Sequence, residues 1–194
     1  YTPYTVYTTE SMLLETPMDN PRDLFVSENN DIYIADTGNN RILVLSQHFK
    51  YKMELSSFVN SEGVSDSLNG PCGVFEKAGK IYVADTENNR IVVFDLEGQY
   101  LYHLEQPRDD VFPEGSIYKP VAIAVNDAGM IYVISSTTYM GVIVLNSQGV
   151  FQSFIGAQQA SLSVMDIILR AFQTKEQKKR SASAISTEYN NISI

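Results

Sequence analysis

The sequence predicts an all-β protein built from repeated four-stranded antiparallel sheets, and three observations carry that prediction. The apolar residues suit a pleated, half-buried surface: Val and Ile are frequent, and the 194 residues include 12 Tyr, 9 Phe and no Trp. A segment recurs almost unchanged 49 residues along the chain, IYIADTGNNRILVL at 32–45 and IYVADTENNRIVVF at 81–94. Residues that favour turns separate the short apolar runs in both copies.

Each element of the repeat follows from local pattern. In the first copy Leu24 and Val26 alternate as a first strand, and Ile32 to Ala35 form a second. Ile42 to Leu45 form a third, and Tyr51 to Leu55 a fourth. Asn29-Asn30-Asp31 and Ala78-Gly79-Lys80 fall where tight hairpin turns are needed, and such residues tolerate positive φ. Asp36-Thr37-Gly38-Asn39-Asn40 joins strands two and three. Pro21 and Pro71 open the two units. A weaker third copy starts at Pro120 with PVAIAV and continues through Ile131-Tyr132-Val133, where Ser135 replaces the acid and the Asn-Asn-Arg triplet is lost. Tyr189 to Ile194 repeat the spacing of a first strand once more, with Tyr in place of Pro.

Four short strands per ~40–50 residues is the pattern of a β-propeller blade. The expected fold is therefore a single partial β-propeller over residues 1–194, an open arc of three complete blades plus partial ones. The blades are expected near 17–60, 66–106 and 113–156, with the start of another at 187–194. A helical insertion is expected over 160–180. Leu162, Met165, Ile168, Leu169 and Phe172 recur at helical spacing, which centres an α-helix near 161–173. Tyr4 to Thr8 alternate like an edge strand that helps to close a ring. The start at Tyr1, without Met, reads as a truncated chain. Open blade edges suit self-association.

The run of proline, short apolar strand and Ile-Tyr-(Val/Ile)-Ala-Asp-Thr-x-Asn-Asn-Arg-Ile resembles the NHL repeat. The match is strong at 21–45 and 71–95, partial at 120–145 and a stub at 189–194. The resemblance implies blades around a central axis, and no single activity. It points to a bacterial-type protein of which this chain is a fragment, extracytoplasmic or membrane-associated, with any tether outside the chain. It also implies an alternative, because some related propellers are metal-dependent lactonases or lyases with the metal on the central axis. Asp23 is the one inner-strand acid that could serve such a site, since the matching Gly73 and Ala122 offer no ligand.

Composition narrows the function classes. The net charge of −9 disfavours contact with a polyanion, so no nucleic acid is expected as a partner, although some NHL domains bind RNA. One cysteine, Cys72, allows no internal disulfide, and His48 and His103 are expected to be exposed rather than metal ligands. No run of ~18 apolar residues crosses a membrane. No catalytic residue, metal or cofactor is expected.

Asp36, Asn39 and Arg41, with Asp85, Asn88 and Arg90, read as a structural motif. The carboxylate would accept backbone N–H groups of its own loop, and the arginine five residues on would reach back to it. Recurrence in both copies favours scaffold over site. Tyr33, Tyr82 and Tyr132 read as blade-to-blade packing with hydroxyls near the rim. The residues after each proline differ between copies, so Arg22, Asp23 and Cys72 are the candidate ligand-binding residues at the channel mouth. The expected function is a non-catalytic binding or scaffold module for a protein or small ligand.

Overall fold

The computed structural model describes residues 14–112, 115–138 and 141–156. Its three main sheets each have four antiparallel strands. The first comprises β1 (Pro21–Val26), β2 (Ile32–Asp36), β3 (Arg41–Leu45) and β4 (Tyr51–Leu55). A small hairpin of β5 (Ser57–Val59) and β6 (Ser65–Ser67) follows. The second sheet comprises β7 (Pro71–Lys77), β8 (Lys80–Asp85), β9 (Arg90–Asp95) and β10 (Tyr100–Leu104). The third comprises β11 (Pro120–Val125), β12 (Ile131–Ser135), β13 (Val142–Leu145) and β14 (Phe151–Ile155).

Turn chemistry matches the sequence at each hairpin. Asn30 takes φ 62°, Ala78 takes 52° and Gly79 takes 76°. The Asp-Thr-x-Asn loops form single 3₁₀ turns at Thr37–Asn39 and Thr86–Asn88. The following Asn40 and Asn89 adopt left-handed φ of 54° and 58°, a conformation that asparagine tolerates better than most residues. The second Asn of the motif is therefore there to reverse the chain.

Each first strand carries a β-bulge at its start. The register shifts between Pro21 and Asp23, between Pro71 and Gly73, and between Pro120 and Ala122. Arg22, Cys72 and Val121 are thus the extra residues of three equivalent bulges, a device that re-aims a side chain.

The sheets stack face to face in chain order. Tyr33, Ala35, Ile42, Val44 and Leu55 of the first sheet form one core with Val74, Ile81, Val83, Val92 and Phe94 of the second. Tyr82, Ile91 and Val93 of the second form another with Ile123, Val125, Ile131, Val133, Ile143 and Leu145 of the third. Apolar residues therefore point to both faces of the second sheet, and its central strands lose the polar alternation of a one-sided sheet. Fully burying one such aliphatic side chain is worth ~1.5–3 kcal/mol. A connector aromatic keys each junction. Phe58 stacks on Tyr100 at 5.2 Å, and Phe112 meets Phe151 and Phe154 at 5.3 and 5.5 Å.

First strands also approach one another directly. Phe25 of β1 lies 4.5 Å from Phe75 of β7, measured between ring centroids. A Cβ on Gly73 would stand 2.9 Å from the Val121 carbonyl oxygen and 3.1 Å from the Ala122 Cα. Glycine is required there because the backbone of β11 occupies the space. The expected helix near 161–173, the insertion over 160–180, the blade start at 187–194 and the strand at Tyr4–Thr8 lie outside the described residues.

Two substitutions test this packing. Gly73→Ala should force β7 and β11 apart and cost about 1–3 kcal/mol, read as a lower midpoint in chemical denaturation. Tyr118 is 2 % exposed in the second core, and its hydroxyl meets no hydrogen-bond partner among the described residues. Tyr118→Phe should therefore raise stability by about 1 kcal/mol, since an unsatisfied buried hydroxyl carries a desolvation cost. A destabilised phenylalanine variant would show that the hydroxyl has a partner in solution.

Candidate functional site

Antiparallel pairing puts two kinds of chain reversal at opposite ends of every sheet. One end holds the tight hairpins. The other holds the Asp-Thr-x-Asn loops, the connectors between sheets and the bulged starts of β1, β7 and β11. Every candidate residue of the sequence lies at this loop end.

The motif acids sit at its centre. Asp36 and Asp85 are fully buried. Oδ1 of Asp36 accepts the Asp19 N–H at 2.7 Å, and Oδ1 of Asp85 accepts the Asn69 N–H at the same distance. Oδ2 of Asp36 accepts from Asn39 Nδ2 and Arg41 Nε at 2.9 and 2.7 Å. Oδ2 of Asp85 accepts from Asn88 Nδ2 and Arg90 Nε at 3.0 and 2.8 Å. The expectation that the acid fixes its own loop through that loop's backbone is corrected here. Its backbone partner belongs to the connector that enters the same sheet, 17 or 16 residues upstream. The carboxylate is a clamp between two segments, because its own loop closes as a 3₁₀ turn without a side-chain cap.

The arginines extend the clamp. Arg41 also donates to Glu54 at 2.9 Å and to the Thr16 carbonyl at 2.8 Å. Arg90 grips Asp66 with two bonds, at 2.7 and 2.9 Å, and so anchors the β5–β6 hairpin. Burial works against the charge of Arg41, but its hydrogen bonds to Asp36 and Glu54 hold its guanidinium above its usual range. Hydrogen bonding to Asp66 does the same for Arg90. The Arg90 guanidinium in turn holds the Asp66 carboxyl below the usual carboxylate range.

Threonine ties one sheet to the next. Thr37 Oγ1 donates to the Pro71 carbonyl, and Thr86 Oγ1 donates to the Pro120 carbonyl, both at 2.6 Å. Asn40 Oδ1 accepts the Gly70 N–H at 2.7 Å across the first junction, and Lys119 Nζ reaches Glu87 at 2.6 Å across the second. At the opposite end Lys77 bridges Glu28 and Asp127, at 3.1 and 2.7 Å, so that one side chain touches all three sheets.

The candidate mouth residues have distinct placements. Arg22 is exposed. Asp23 is half-buried, and its Oδ2 accepts the Val74 N–H at 2.9 Å across the first junction. Its Oδ1 accepts the adjacent Leu24 N–H at 2.9 Å, so this acid is occupied as a strand-to-strand tie. Cys72 is half-buried, with its thiol 3.4 Å from the Gly70 carbonyl. His48 and His103 are exposed, as expected, and His103 Nδ1 lies 2.8 Å from the Tyr100 hydroxyl. Tyr33 and Tyr82 pack between sheets, and burial, then Glu76 and Asp31, push the Tyr33 phenol up to about 12. Among the described residues no group of three or more His, Cys, Asp or Glu is placed to hold a metal ion.

Two shallow hollows, of about 390 and 420 Å³, lie away from the mouth beside the connector that follows β10. Polar residues dominate them: Asn89, Arg90, His103, Glu105, Gln106 and Ser116 in one, His103, Glu105, Gln106 and Arg108 in the other. Sequence reasoning missed this region, because the hollow forms between parts of the chain that no local spacing connects.

The clamp yields two predictions. Asp85→Asn leaves Arg90 with Asp66 as its charged partner, so the loss should be roughly 2–3 kcal/mol, short of the ~3–5 kcal/mol of a buried pair broken outright. Thermal melting would read it. Asp66 has a depressed folded-state pKa, so its contribution is fully present above the unfolded value of ~3.9 and is lost as pH falls through the folded pKa. Asp66→Asn should thus lose stability near neutrality and flatten the acid limb of stability against pH below about 4. An unchanged acid limb would remove Asp66 from that role.

The NHL repeat family model matches residues 18–45 and 73–94. No curated protein matches the sequence. A streptogramin B lyase structure superposes with TM-score 0.51 at 19% identity, over 76% of this chain and 45% of that one. Hydrazine synthase of Kuenenia stuttgartiensis superposes with TM-score 0.55 at 13% identity, over 74% and 38%. A nidogen/laminin complex chain gives 0.54 at 16%, over 73% and 49%. This chain spans less than half the length of each, and at such identities the likeness is one of fold. Two stretches of the chain, 18–45 and 73–94, match the NHL repeat, and its four-stranded sheets are blades of a β-propeller.

Proposed function

We propose that the chain is a non-catalytic recognition module that binds a protein or small ligand through the loop end of its blades, in an extracytoplasmic or membrane-associated setting. One observation carries this reading. The polar motif residues shared by the first two repeats are tied into the scaffold, whereas the three equivalent bulges present different side chains, Arg22, Cys72 and Val121. A fixed frame with a variable rim is what recognition requires. The nidogen/laminin neighbour shows the same kind of fold in a protein complex. Self-association through blade edges is a further partner class.

The lactonase- or lyase-type reading draws support from the lyase neighbour alone. It would need ligands from blades other than these three, because Asp23 is tied to the Val74 N–H.

The test is binding of the immobilised chain to fractionated cell-surface material. Arg22→Glu should weaken saturable binding at least ten-fold, about 1.4 kcal/mol. Gln47→Ala, in a turn at the opposite end, should leave it unchanged. Equal loss in both variants would sink the loop-end assignment. Metal-dependent turnover of a lactone panel would replace this reading with the enzymatic one.

A further inference from the structure

We draw no further inference here: the strongest candidate, the flank of blade 1 where Leu24 and Val26 stand 56% and 48% exposed while the equivalent Val74 and Ile123 are buried by a preceding blade, is an apolar sheet face with nothing in the structure to show what covers it.

Discussion

Everything in this arc depends on delivering each first strand into contact with its neighbours at a fixed height. Backbones there approach so closely that one position, Gly73, admits no Cβ. Such an approach leaves no tolerance for a sliding strand. The repeat meets the constraint from two directions. A threonine hydroxyl of one blade holds the proline carbonyl of the next, and a buried aspartate holds the connector that leads into its own blade. Proline suits the start of the strand because it offers a carbonyl and needs no partner for an N–H.

The third repeat shows that the clamp works as a unit. Ser135 stands in place of Asp36 and Asp85, and by strand register Gly141 stands where the arginine would be. Both members of the charge pair are gone together, so no charge is stranded. Ser135 Oγ still accepts the Lys119 N–H at 3.0 Å and pairs with the Thr137 hydroxyl, which donates to the Ile117 carbonyl. Replacing both partners costs far less than removing one, because the penalty lies in the unpaired buried group. This accounts for the tolerance of a neutral blade beside two charged ones.

Much of the fold was legible because the repeat writes the same local rule twice. The strand bounds, the Asn-rich turns and the packing of Tyr33 and Tyr82 all follow from periodicity and turn chemistry. What stayed hidden depends on partners distant in sequence. Ser57–Val59 and Ser65–Ser67 are three-residue strands, too short to show a period, and their hairpin is held by Asp66, 24 residues from Arg90. Counting back from proline aligns Tyr118 with Asn69. Hydrogen bonds align Lys119 with Asn69 instead, since each donates its N–H to the motif residue of its blade. One residue is missing before Pro120, and the shift puts Tyr118 in the place of Leu68. A polar-tipped ring thereby enters an apolar slot.

The same distinction decides how site residues should be read. Asp23 looked available because its strand position is acidic in one copy only, yet that acid occupies the gap where β1 meets the Val74 N–H. An acid unique to one blade can therefore be a structural response to one junction. Arg22 differs in kind. It is the inserted residue of a bulge, so it lies outside the alternating register that serves the core, and it is exposed. In a repeat whose core-facing positions are occupied by packing or by clamps, the inserted residues that the register leaves over are free to vary without loss of fold. The bulges are such positions, and they recur around the loop end at every blade.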